Sequence, residues 1–91
     1  MFVVVAYDIA DDRRRNRVAT ILSDYGERVN FSVFECEFKN STELEVLKSK
    51  LKRKINAKND HVRYYPICKK CRARISVQGY GKIGEDTILF A

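Results

Sequence analysis

The chain has no tryptophan, one histidine and one proline among its 91 residues, and these shortages exclude whole classes of chemistry. With His61 as the sole imidazole, a serine–histidine–aspartate triad is not expected. Four scattered glycines form no phosphate-cradling loop, and no HExxH pair is present to seat a metal on a helix. No stretch nears the eighteen or more apolar residues of a membrane span. Met1-Phe2-Val3-Val4-Val5 lacks the basic flank of a secretory leader. Three cysteines are an odd number, which fits a reducing compartment better than a disulfide framework. The chain is therefore read as cytosolic. It shows no internal repeat and no low-complexity tract.

What the chain does have is positive charge. Eighteen lysines and arginines against twelve acids give a net charge of +6 and a pI near 9.4. A compact basic domain favours polyanions through counterion release, although domains of this size often carry a net charge of about 2–8 for solubility alone. Placement therefore matters more than the total. Arg13, Arg14, Arg15 and Arg17 crowd the start of the first expected helix, where the macrodipole prefers acids. On a helical wheel Arg13 points to solvent, Arg15 and Arg17 flank the apolar stripe, and Arg14 lies nearest to it. Phosphate binding accounts for the group, and ion pairs to Asp8, Asp11 and Asp12 are a compatible second use. Lys48, Lys50, Lys52, Arg53, Lys54 and Lys58 cover the polar side of a later helix, as a solvated helix face commonly does.

The apolar pattern predicts β-α-β(β)-α-β-β in one domain over 1–91. Phe2 to Ile9 is a nearly unbroken apolar run, which suits a central strand covered on both faces. Asp11 or Asp12 caps a helix over roughly Asp12 to Tyr25, with Val18, Ile21, Leu22 and Tyr25 as its stripe and Gly26 as its C-terminal cap. Between Val29 and Phe38 the alternation changes phase near Ser32-Val33, implying either a bulge or a break into two strands. Thr42-Glu43-Leu44-Glu45 reads as a capping box. It opens a helix with Leu44, Leu47, Leu51 and Ile55 on one face, ending near Lys58-Asn59. Strands follow at His61 to Ile67, Ala73 to Val77 and Thr87 to Phe90. This order is ferredoxin-like, an α+β βαββαβ core over about 1–78 with two helices on one face of an antiparallel sheet. One or two extra strands lie in a glycine-containing tail over about 79–91. Ile88-Leu89-Phe90 is suited to packing on another subunit's sheet, so a homodimer is expected; a domain this small also gains from dimerisation.

Asp8 closes the apolar first strand and is expected to sit partly desolvated at the edge of the core. An isolated aspartate there usually caps a helix or pairs with an arginine. Its alternative use is as a ligand for a hard cation such as Mg²⁺. One carboxylate makes a poor metal site, but a two-fold axis near this strand would bring two copies of Asp8 together. At ~5 Å and an effective dielectric of ~20 they would repel by roughly 3 kcal/mol, which a cation or a shared proton relieves. Cys68-x-x-Cys71 offers two zinc ligands where a closed site needs four, with Cys36 and His61 on other strands. It is read as inert thiols or an occasional disulfide. Phe34-Glu35-Cys36-Glu37-Phe38 puts acids where an RNA-recognition sheet would meet RNA.

Tyr7-Asp8-Ile9 ending the first strand, then Arg13 to Arg17, then Gly26, then Ser32-Val33-Phe34-Glu35-Cys36, and a cysteine pair after Tyr65-Pro66 resemble the CRISPR-associated protein 2 family over almost the whole chain. Asn30 stands where the family would have glutamine. The resemblance implies a ferredoxin-like homodimer that partners the CRISPR integrase, associated protein 1, in capturing spacer DNA and contacts duplex backbone. Family members are also described as metal-dependent endonucleases acting on single-stranded RNA or double-stranded DNA, an activity not uniform across the family. The resemblance further implies that Asp8 binds Mg²⁺ near the dimer axis, with Tyr7, Arg15, Arg17 and Phe34 matching positions tied to activity or support of that site. Outside the resemblance, the alternative is a small basic ferredoxin-like RNase toxin of a toxin–antitoxin pair.

Overall fold

The computed structural model describes residues 1–80 and the backbone of Leu89 and Phe90. Its elements are β1 (Phe2–Asp8), α1 (Asp12–Leu22), β2 (Gly26–Asn30), β3 (Val33–Glu37), α2 (Ser41–Lys52), β4 (His61–Ile67), α3 (Lys69–Arg72), β5 (Val77–Gln78) and β6 (Leu89–Phe90). The first four strands form one antiparallel sheet in the order β2-β3-β1-β4, the ferredoxin-like arrangement with β1 central. β5 and β6 form a separate two-stranded parallel sheet. The expected last strand is thus described only at Leu89 and Phe90; the rest of Thr87 to Phe90 lies outside the described residues. No described helix is long and apolar enough to cross a membrane.

The period-two pattern of β1 decides where the core lies. Val3, Val5, Tyr7 and the following Ile9 point to one face and meet Phe34, Cys36 and Phe38 there. Val18 and Leu22 of α1 and Leu44, Leu47 and Leu51 of α2 close over them. Each such aliphatic side chain contributes about 1.5–3 kcal/mol when buried. β1 is central as expected, but the described residues of one chain cover it fully on one face only. On the other face Val4 and Ala6 are only half-buried and Asp8 is exposed, because both main helices lie on the first face.

Local chemistry sets the element ends. Asp11 accepts a hydrogen bond from the Arg14 amide at 3.0 Å and caps α1. The helix stops at Leu22 with Ser23 as its cap, three residues before the expected end, and Gly26 is not that cap. Gly26 opens β2 instead, pressed against β3 so closely that a Cβ would lie 1.9 Å from the Glu35 carbonyl oxygen. The phase change in the segment is a break: β2 and β3 form a hairpin, with Phe31 and Ser32 at its tip and a register shift between Arg28 and Asn30. Val29 and Phe31 consequently fall outside the core, Phe31 being 91% exposed.

The capping box of α2 lies two residues earlier than expected. Asn40 accepts from the Glu43 amide at 3.0 Å, and the Glu43 carboxylate accepts from the Lys39 amide at 3.0 Å. α2 ends at Lys52, well before Lys58, because Asn56 to Asp60 fold into a loop of their own. There the Asp60 amide donates to the Asn56 carbonyl at 2.8 Å, and the Asn56 amide donates to the Asp60 carboxylate at 2.8 Å. Ile55, the last residue of the expected stripe, still packs on the core from that loop. After β4, the strand expected over Ala73 to Val77 is replaced by α3 and a turn, leaving β5 only two residues long.

Candidate functional site

Asp8 is the last residue of β1, on the face that neither α1 nor α2 covers. In register across β4 it faces His61, whose Nε2 lies 3.8 Å from Asp8 Oδ2. The expected desolvation is absent: the Asp8 side chain is 82% exposed. Strand alternation is the cause, since it sends Tyr7 into the core and Asp8 away from it. Behind Asp8 on the same face run Ala6 and Val4, flanked by Val33 and Glu35 of β3 and by Arg63 and Tyr65 of β4.

Tyr7 and Phe34 lie on the opposite, buried side. Their ring centroids are 6.3 Å apart, and each side chain is almost fully enclosed. The Tyr7 hydroxyl donates to the Phe31 carbonyl at 3.3 Å and accepts from the Arg28 guanidinium at 3.3 Å. Arg28 also lies over the Phe34 ring, 5.3 Å from its centroid. The Tyr7 amide donates to the Ser32 carbonyl at 3.0 Å. Tyr7 and Phe34 therefore hold the β2–β3 hairpin tip against the end of β1, beside Asp8.

The four arginines separate into two kinds. Arg14 is half-buried, and its guanidinium grips Asp60 through two hydrogen bonds of 2.7 and 3.2 Å. Arg15 donates to the Ile9 carbonyl at 3.0 Å and pairs with Asp12. Arg13 and Arg17 remain exposed at the helix surface, and neither forms a salt bridge among the described residues. The ion pairs foreseen for this group involve Asp12 and Asp60, while Asp8 faces His61 and Asp11 caps the helix.

Asp60 is the residue that sequence reasoning missed. It is the sole buried charged side chain among the described residues. Beyond Arg14, it accepts from the Ala10 amide at 3.1 Å and the Asn56 amide at 2.8 Å. The Arg14 guanidinium foremost, with these two amides, holds its carboxyl far below the usual carboxylate range and outweighs the cost of burial. One carboxylate thus fixes the β1–α1 loop that follows Asp8. The only sequence signal was an aspartate placed just before a strand.

The donor set bears on whether a cation fits. Among the described residues no three His, Cys, Asp or Glu side chains gather as a metal site. The described residues thus offer Mg²⁺ one exposed carboxylate at the end of β1, with an imidazole beside it that suits softer ions. Among the described residues that is half a site at most, and it fits a hydrated hard cation only if another carboxylate joins it from outside them.

Comparison with known proteins agrees with this geometry. Residues 1–75 match the family model described as CRISPR associated protein Cas2. A curated relative from Synechocystis sp., named CRISPR-associated endoribonuclease Cas2 3, is 38% identical over 76 residues, which cover 84% of this chain and 82% of that protein. The crystal structure of Streptococcus pyogenes Cas2 at pH 6.5 superposes with a TM-score of 0.77 at 34% identity, covering 87% of this chain and all of the other. A chain of a partial Cas6-RT-Cas1–Cas2 complex superposes with a TM-score of 0.70 at 26% identity, covering 81% of this chain and 86% of the other. With its βαββαβ order, its aspartate at the end of β1 and its match over most of the sequence, the chain belongs to the CRISPR-associated protein Cas2 family.

Proposed function

We propose that the chain works as a homodimer in CRISPR adaptation, binding nucleic acid and scaffolding the integrase, associated protein 1, while paired Asp8 carboxylates hold Mg²⁺ for endonuclease chemistry. The observation that carries this reading is the position of Asp8: exposed, at the end of a row of half-buried apolar residues, on the uncovered face of the sheet. A second copy laid on that face would cover Val4, Ala6 and Val33 and bring a second Asp8 within reach of the first. The relative named as an endoribonuclease and the Cas1–Cas2 complex support the same reading.

In this reading each group has a separate task. Arg13 and Arg17 present free guanidinium groups to phosphate on duplex DNA or single-stranded RNA. Arg15 steadies the turn between β1 and α1, and Arg14 acts on that turn through Asp60. Tyr7 and Phe34 position the hairpin tip and do not touch substrate. A bound Mg²⁺ would polarise a phosphodiester and favour an attacking hydroxide; the chain's own part is to fix where the carboxylates stand.

The test compares wild type with Asp8→Asn on single-stranded RNA and duplex DNA, with Mg²⁺ or EDTA, while sedimentation reports the oligomeric state. Expected are a dimer for both proteins and Mg²⁺-dependent cleavage by wild type alone. Cleavage that persists in Asp8→Asn, or a wild type that sediments as a monomer at micromolar concentration, would overturn the paired-carboxylate site. Binding is read separately: log K should fall with log salt by about 0.9 per phosphate contact, with a shallower slope in Arg13→Ala/Arg17→Ala.

A further inference from the structure

At the end of the sheet remote from Asp8, the chain leaves β4 through Cys68, forms the single turn of α3 and reaches Cys71. Cys68 is the N-cap of this turn, with extended backbone at φ −69° and ψ 165°, and Cys71 is its third residue. The Arg72 amide donates to the Cys68 carbonyl at 2.8 Å and the Ala73 amide to the Lys69 carbonyl at 3.1 Å, so the turn is closed. N-cap and third-residue side chains face each other, which is the geometry a capping box uses. Residues three apart on a helical turn have Cβ atoms about 5–6 Å apart, within a small adjustment of the spacing a disulfide needs. Both thiols are exposed, whereas Cys36 is buried in the core.

The two thiols differ in access. Cys68 lines a groove of about 490 Å³, and Cys71 does not. Phe2, Pro66 and Ile67 give the groove apolar walls, and Lys69 and Arg72 outnumber the one carboxylate there, Glu37. Arg72 is anchored over the Phe2 ring, 4.2 Å from its centroid, and to Glu37 at 2.6 Å. Lys69 forms no salt bridge among the described residues. An open groove of this kind admits a small anionic disulfide to Cys68 first.

We infer that Cys68 and Cys71 form a thiol–disulfide exchange site for low-molecular-weight disulfides, with Cys68 attacking and Cys71 resolving. The Cys68 thiolate attacks one sulfur of the small disulfide, forming a mixed disulfide and expelling one thiolate. Cys71 then gives up its proton and attacks the Cys68 sulfur, closing the intramolecular disulfide and expelling the second thiol. Two protein thiols are oxidised and one small disulfide is reduced to two thiols. The electrostatics agree with this order. The Cys71 amide foremost, and then the Cys71 thiol, hold Cys68 below the ordinary thiol value. Cys71 is pushed up by its contact with Cys68. The site is independent of Asp8 and of any nuclease activity.

The test incubates reduced protein with oxidised glutathione, quenches with acid, alkylates under denaturing conditions and weighs the products. Wild type should become lighter by two hydrogen atoms and keep one alkylatable thiol, Cys36. Cys71→Ser should accumulate a single glutathione adduct on Cys68, and Cys68→Ser should react about tenfold more slowly. Both positions are exposed, and circular dichroism verifies that the variants fold. A wild type that retains three alkylatable thiols, or an adduct that forms faster in Cys68→Ser than in Cys71→Ser, overturns the inference.

Discussion

On the helix-covered face of the sheet, Val3, Val5 and Tyr7 are at most 4% exposed. One residue along the same strand, on the other face, Val4 and Ala6 are half-buried and Asp8 is open to water. The sequence of β1 is about equally apolar on both sides. Its helix-facing residues find partners within the chain; of its outward-facing residues only Phe2, beneath Arg72, is buried among the described residues, and Val4, Ala6 and Asp8 are not. Glu35 reports the same asymmetry. Half-buried on the open face, it carries a carboxylate oxygen with neither solvent nor a hydrogen-bond partner among the described residues. Desolvation pushes its carboxyl up against the counter-pull of Arg72, with Glu27 adding repulsion. A surface that is apolar and incompletely satisfied is one that benefits from a cover.

The sharpest break of this comparison comes from truncation. Leu47→Ala, in the shared core of helix and sheet, should cost about 2–5 kcal/mol in urea unfolding, independent of protein concentration. Val4→Ala should cost less than about 1 kcal/mol in the dissociated chain, so equal losses would erase the distinction between the faces. Next in size is Asp60→Asn, which should lower Tm by about 10 °C at neutral pH. Because the folded Asp60 carboxyl titrates below its ordinary value of 3.8, its contribution is full above that value and declines as the pH falls toward the lower folded one. The gap in Tm between wild type and Asp60→Asn should therefore narrow below about pH 4, and a gap constant with pH would disprove the clamp.

The smallest effect belongs to the open face. Glu35→Gln should raise the Tm of the dissociated chain at pH 7 by about 2 °C. Its folded carboxyl titrates above the ordinary 4.5, so ionised Glu35 opposes folding. That opposition is absent below 4.5 and grows as the pH rises through the folded value. A lowered Tm in scanning calorimetry would mean that Glu35 has a stabilising partner after all.

Much of the fold was legible because burial leaves a periodic trace. β4 falls at His61–Ile67 as expected, and the leucine stripe of α2 faces the core as expected. Illegible features are those decided by contact between distant segments. Asn40…Glu43 and Thr42…Glu45 both fit a capping box, and the end of β3 at Glu37 selects the first. Gly26 resembles a helix stop until the backbone of β3 lies against it. At the site, Asp8 was visible as a carboxylate out of character with its strand, whereas its exposure depends on which face the helices take. A helical wheel sets Arg14 nearest the apolar stripe and Arg17 at its flank, but the acids expected to pair with either were Asp8, Asp11 and Asp12. Asp60, 46 residues beyond Arg14, tells the two arginines apart.

That separation has a consequence for folding kinetics. The clamp joins Arg14 and Ala10 to a carboxylate 46 and 50 positions away, so closing it requires both βαβ halves to be in place and a long loop to be ordered first. Interactions completed after the transition state slow unfolding without hastening folding. Asp60→Asn should accordingly steepen escape from the native state while leaving the refolding arm of a chevron nearly unmoved, making this one buried carboxylate a latch on a closed structure and not a guide toward it.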